Sequence, residues 1–191
     1  MPVPRIGRWI DNFAGRHGGS AELSVIDGAL HGSAPDGSTF SARLPFQRSY
    51  EGVAAATAFT EAAGPPSDWG VLLVRKGGFA VARLSGATIT ASKVGKRHVQ
   101  GRTKAGGWSQ QRFARRRDNQ ARAALEAADE HAARILDGLH GPLVYGGIDE
   151  ARPDETIPLH GHIADPRRDV LEKAIADAQA VLFSVINAEN R

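Results

Sequence analysis

The sequence predicts an α/β fold: a mixed β-sheet, a long basic helix after a glycine loop and a C-terminal helix, preceded by a small β-rich subdomain. Three observations carry this. Short β-type runs recur between turn signals through the first hundred residues, one long apolar stripe at helical spacing follows, and a strand, a second strand and a helix close the chain. Residues 1–66 are read as the small helix and β-hairpin subdomain and residues 67–191 as the main α/β domain.

Within the first part, Trp9, Ile10 and Phe13 fall at helical intervals over Arg8–Arg16, and His17-Gly18-Gly19 ends that helix. Strands are expected at Glu22–Ile26, Ala29–Gly32 and Thr39–Leu44, with Asp27-Gly28 as a tight turn and Ala34-Pro35-Asp36-Gly37 as a longer loop. A short helix over Val53–Ala63 is stopped by Gly64-Pro65-Pro66, and the boundary is placed near Ser67.

Beyond it, Val71–Arg75, Phe79–Leu84, Ala87–Ser92 and Lys96–Gln100 read as an antiparallel meander joined by Lys76-Gly77-Gly78 and Ser85-Gly86. Ser109 is a natural N-cap for the long helix. Phe113, Ala121, Ala124, Leu125, Ala128, Ala132, Ile135 and Leu136 form its buried stripe, and it should end near Gly138. Leu143–Ile148 reads as a strand, Asp149–Glu155 as an acidic loop and Leu159–Ala164 as a further strand. A final helix is expected over Pro166–Asn187, capped by Asp165, with Leu171, Ile175, Ala178, Leu182 and Ile186 buried.

Composition excludes several classes. The 191 residues contain no Cys, which removes disulfide frameworks, thiolate metal sites and a cysteine nucleophile. No apolar run approaches the roughly 20 residues of a membrane span, and Met-Pro-Val-Pro-Arg lacks the apolar core of a signal peptide. A cytoplasmic protein without a membrane partner is expected.

Charge is the first functional clue. The window Lys93–Arg122 holds ten Lys or Arg against one acid, Asp118, a net of +9, while the rest of the chain carries −6. One strongly positive surface on an otherwise acidic chain is the footprint of a phosphate-binding protein. Arg112, Arg115, Arg116, Asn119 and Arg122 share one helix face, and Arg102 and Lys104 precede it. Gly106-Gly107 removes side chains where backbone must approach a crowded partner. The helix start beyond favours anions, and Trp108 can stack on a base. A Walker phosphate loop does not fit, because no Gly-Lys-Ser/Thr follows, and Gly107-Trp108-Ser109-Gln110-Gln111 lacks the second glycine of a serine-hydrolase elbow.

Gly106-Gly107-Trp108-Ser109-Gln110-Gln111-Arg112-Phe113-Ala114-Arg115 resembles the catalytic loop and helix in the middle domain of eukaryotic and archaeal class-I peptide release factors. There a Gly-Gly-Gln loop precedes a Ser and an Arg-Phe-Ala-Arg helix. Aligned on Arg112-Phe113-Ala114-Arg115, Trp108 stands where that family has glutamine, and Gln110 comes two residues later. The Gly107-x-x-Gln110 spacing is similar to the Vms-like release-factor branch, which acts in ribosome-associated quality control as a peptidyl-tRNA hydrolase. The resemblance covers roughly residues 67–191; no decoding domain is visible, so stop-codon reading is not expected.

It implies ribosome rescue by hydrolysis of the ester between nascent peptide and tRNA. The implied partners are the large ribosomal subunit, peptidyl-tRNA and ribosomal RNA, with no DNA and no cofactor or metal. Gln110, Gly106 and Gly107 would be catalytic. Arg102, Lys104, Trp108, Ser109, Arg112, Arg115, Arg116 and Arg122 would hold RNA. Two alternatives stay open: cleavage near the tRNA 3′ end by the same loop, and a non-catalytic RNA- or ribosome-binding module. Outside the loop, His160 and His162 share a strand face without a third metal ligand. His98 reads as structural, and Asp149, Glu150, Asp154 and Glu155 read as a solvated loop before a Mg²⁺ site.

Overall fold

The computed structural model describes residues 1–96, 122, 125–159 and 161–188. Its elements are α1 (Ile6–Arg16), β1 (Glu22–Ile26), β2 (Ala29–Ser33), β3 (Thr39–Arg43), α2 (Ala56–Ala62), β4 (Trp69–Arg75), β5 (Gly78–Ser85) and β6 (Thr88–Lys96). They continue with α3 (residues 125–135), β7 (Leu143–Gly147), β8 (Thr156–Pro158), α4 (Arg168–Ala178) and β9 (Leu182–Ile186). The described chain divides into two units, one of Met1–Pro65 with the chain from Ala176 onward, the other of Pro66–Ile175.

In the first unit, the sheet order is β1-β2-β3-β9, antiparallel throughout. The β1–β2 hairpin closes on Asp27 and Gly28 at φ 49° and 70°, the doubly left-handed turn that matches strand twist. Helix α1 buries Ile6, Ile10 and Phe13. They meet Leu30, Phe40, Ala42, Phe59 and Val181 in one core. Phe40 is its centre, edge-on to Trp9 at 5.2 Å and to Phe13 at 5.1 Å. Gly32 lies opposite Phe40 because a Cβ there would sit 2.0 Å from the ring.

The last strand corrects the sequence expectation. The helix expected over Pro166–Asn187 stops at Ala178, and Leu182–Ile186 pairs with β3. Leu182 and Ile186, expected to be buried, are 58% and 51% exposed. Their i, i+4 spacing continues the helical stripe, but Val181, Phe183 and Val185 make the run β-branched and aromatic. In the extended form the Phe183 ring centroid lies 4.2 Å from that of Trp9.

The second unit carries a mixed sheet of order β6-β5-β4-β7-β8. β4, β5 and β6 form the expected meander, and β7 lies parallel to β4. Trp69–Val74 is buried along its whole length, as a central strand covered on both faces should be. One face carries Leu72, Val74, Phe79, Val81 and Tyr145, and onto it α3 brings Leu125, Ala128, Ala132, Ile135 and Leu136. These are the described members of the predicted stripe; Phe113, Ala121, Ala124 and the Ser109 cap lie outside the described residues. Helix α4 meets this sheet through Arg168, which donates to the Ser92 hydroxyl of β6 at 3.0 Å. The meander's third run extends as β6 to Lys96; of the expected fourth strand, residues 97–100 lie outside the described residues.

The strand expected at Leu159–Ala164 is instead β8, Thr156–Pro158, on the sheet edge beside β7. Pro158 donates no N–H, which an edge position tolerates. The Leu159 N–H still reaches the Tyr145 carbonyl at 2.7 Å, and Gly161 at φ 95° ends the extended run.

Candidate functional site

The topology fixes the end of the sheet at which the basic segment begins. β4 and β6 are both antiparallel to β5, and β7 and β8 are parallel to β4. Arg75, Lys96, Gly147 and Pro158 therefore end their strands on the same side. The chain leaves β6 there, at Lys96 opposite Gly78, with Lys93 and Lys96 exposed. Helix α3 brings it back across the sheet. Its His131 stacks 5.3 Å from Phe79 near that end, whereas Leu136 lies against Gly70 at the start of β4. Arg122, earlier in the chain, is helical and exposed.

The opposite end is clamped by charge. Asp68 accepts two bonds from Arg83, at 2.9 and 3.0 Å, and one from the His140 backbone N–H at 3.0 Å. Arg83 also donates to the carbonyls of Asp137 and Gly138, just beyond α3. A guanidinium suits this place because carbonyls and dipole at a helix C-terminus attract cations. The Arg83 bonds, and then the His140 N–H, hold Asp68 below the usual carboxylate range. The first unit has a smaller counterpart, Asp36, held down by the Ser38 N–H and by His17. Both folded pKa values lie below the unfolded ones. Their stabilisation is therefore present above about pH 4 and is lost as pH falls through the folded values. Asp68→Asn should lower the thermal midpoint at pH 7 and make its decline in acid shallower, as thermal unfolding across pH would show.

Of the residues expected to form the site, Arg122 is described; Arg102, Lys104, Gly106, Gly107, Trp108, Ser109, Gln110, Arg112, Arg115 and Arg116 lie outside the described residues, as do His98 and His160. Asp149, Asp154 and Glu155 are exposed on the loop between β7 and β8. Among the described residues no group of three His, Asp or Glu is arranged to hold a metal ion. No helix among them is long and apolar enough to cross a membrane.

Sequence reasoning missed a second feature at the same end of the sheet. A cleft of about 220 Å³ lies at the ends of β4, β7 and β8, lined by Arg75, Gly147, Asp149, Arg152 and His162 among others. Gly147 sits at φ 149°, and a Cβ there would be 2.0 Å from the Val74 carbonyl, so only glycine fits against β4 at this point. The available signal was general: α/β sheets bind ligands beyond the carboxyl ends of their parallel strands.

Among curated proteins, none matches the chain. Residues 67–184 match the family described as Actinobacteria/chloroflexi VLRF1 release factor, acVLRF1. The match spans the second unit, including the whole basic segment between β6 and α3, and runs on through α4 into β9. By this match over more than half its length, the chain belongs to the acVLRF1 release-factor family.

Proposed function

We propose that this protein is a ribosome-associated peptidyl-tRNA hydrolase that frees nascent peptide from tRNA on stalled large subunits, working in the cytoplasm. The observation that carries the reading is the release-factor match over residues 67–184, which includes Gly106-Gly107 and the Gly107-x-x-Gln110 spacing. The catalytic part begins at residue 67, and residues 1–66, together with β9 (Leu182–Ile186) that pairs with β3, form an added subdomain.

The chemistry follows from the residue types. Water attacks the acyl carbon of the ester, the bond to the ribose oxygen breaks, and that oxygen takes up a proton to become the free hydroxyl. Gln110 is neutral, so it cannot serve as a general base at neutral pH. Its carbonyl accepts and its NH₂ donates, which suits it to orient water or the ribose hydroxyl. Positioning of this kind and stabilisation of the developing oxyanion carry the rate. Gly106 and Gly107 let the backbone enter the peptidyl-transferase centre. Trp108 and Ser109 shape the tip, while Arg102, Lys104, Arg112, Arg115, Arg116 and Arg122 hold RNA phosphates.

Release in ¹⁸O-labelled water tests the reaction class. Ester hydrolysis places one ¹⁸O in the C-terminal carboxyl of the freed peptide; a peptide still attached to a nucleotide fragment would show tRNA cleavage instead. The basic face has its own test. Arg115→Ala with Arg116→Ala should weaken RNA binding and reduce the salt slope of log affinity by about 1.4, or about 0.7 per lost phosphate contact on single strands. An unchanged slope in a salt titration would remove those two residues from the RNA contact.

A further inference from the structure

We propose that the cleft at the carboxyl ends of β4, β7 and β8 binds one nucleotide unit of an RNA chain, with Arg75, Arg152 and His162 on its phosphate and Asp149 on its ribose hydroxyl. The Arg75 side chain makes no hydrogen bond or ion pair among the described residues, although the rest of its strand is buried. Arg152 is held in place: its Nε donates to the Thr156 hydroxyl and its Nη2 to the Thr156 carbonyl, both at 2.8 Å. Its Nη1 is left without a partner among the described residues, so a preset guanidinium edge remains for an incoming oxygen. His162 is exposed on the same wall.

Three cationic or donor side chains and one carboxylate share about 220 Å³. That set is mismatched to a bare anion, since Asp149 would repel it. It matches a phosphate joined to a sugar, because a carboxylate accepts from a ribose hydroxyl as the donors hold the phosphate. A 2′-hydroxyl is also what separates RNA from DNA at one contact. The cleft opens at the end of the sheet from which the basic segment departs, so one strand could meet both. The inference rests on the release-factor reading for the source of the RNA and on the described residues for the site.

The test uses the full chain with short single-stranded RNA, DNA of the same sequence, 5′-AMP and inorganic phosphate as probes. Binding is followed by fluorescence anisotropy and by amide resonances of Gly146, Gly147 and Arg152. RNA should shift those resonances. Arg75→Gln should weaken RNA binding by about 5- to 10-fold at low salt and flatten the salt slope by about 0.7. Arg75→Lys should keep most of the affinity, and unfolding curves show that the variants are folded. Asp149→Asn should weaken RNA but not DNA. If RNA leaves the resonances unmoved while AMP or phosphate shifts them, the cleft is a free-ligand site and the proposal falls. Equal RNA affinity for wild type and Arg75→Gln also overturns it. Peptide release reads Gln110 and not this cleft, so the two proposals fail separately.

Discussion

Gln110→Ala is expected to slow peptide release by about 100-fold or more, the scale seen when one preorganised polar group is removed from a reacting centre. RNA affinity should stay within about twofold, because a single neutral hydrogen bond contributes little net binding. Single-turnover release and equilibrium binding, measured on the same preparation, separate the two effects. Gln111→Ala should leave release near wild type, since the Gly107-x-x-Gln110 spacing selects its neighbour. A binding module without catalysis predicts the opposite ordering: Gln110→Ala changes nothing, and Trp108→Ala and the arginine variants weaken binding.

The second large effect concerns the support of that segment. Phe79 is 4% exposed, packs with Leu72, Val74, Val81, Ala128 and Tyr145, and stacks on His131 of α3. Gly95 makes room for it, since a Cβ there would lie 2.3 Å from the ring. Phe79→Ala should cost about 3–5 kcal/mol in denaturant unfolding, a large share of the roughly 5–15 kcal/mol that holds a domain. Release should fall with it, because α3 fixes the C-terminal return of the basic segment against the sheet. Phe79→Leu, which keeps most of the volume, should cost about 1.5 kcal/mol or less.

Much of this architecture was legible in the residues because short-range chemistry dictates it. Asp27-Gly28 specifies the β1–β2 turn, and the strands β1, β2 and β3 fall where turn signals separate β-type runs. The apolar stripe from Leu125 to Leu136 covers the sheet as its helical period requires. The misread pieces depend on distant partners. Leu182 and Ile186 satisfy both helical and extended spacing, and no glycine or proline separates them from α4. What decides between the forms is a strand some 140 residues earlier, β3, and the aromatic cluster that takes Phe183. β8 was displaced because a three-residue parallel edge strand carries almost no pattern of its own.

The candidate site divides the same way. Its residues were named from charge, spacing and the resemblance to release factors, and the structure adds where the segment leaves the sheet, at Lys96, and how α3 returns to it. The cleft was invisible in sequence because Arg75, Asp149, Arg152 and His162 are brought together by the β4–β7–β8 pairing and by no motif.

The most direct measurement uses purified large-subunit complexes carrying a labelled nascent chain on tRNA, incubated with the wild-type protein. Peptide release and tRNA length are resolved on the same gel. Ester hydrolysis predicts freed peptide together with full-length tRNA. Shortened tRNA would assign the activity to a nuclease, and binding without any release would leave the protein without the hydrolase activity proposed for it.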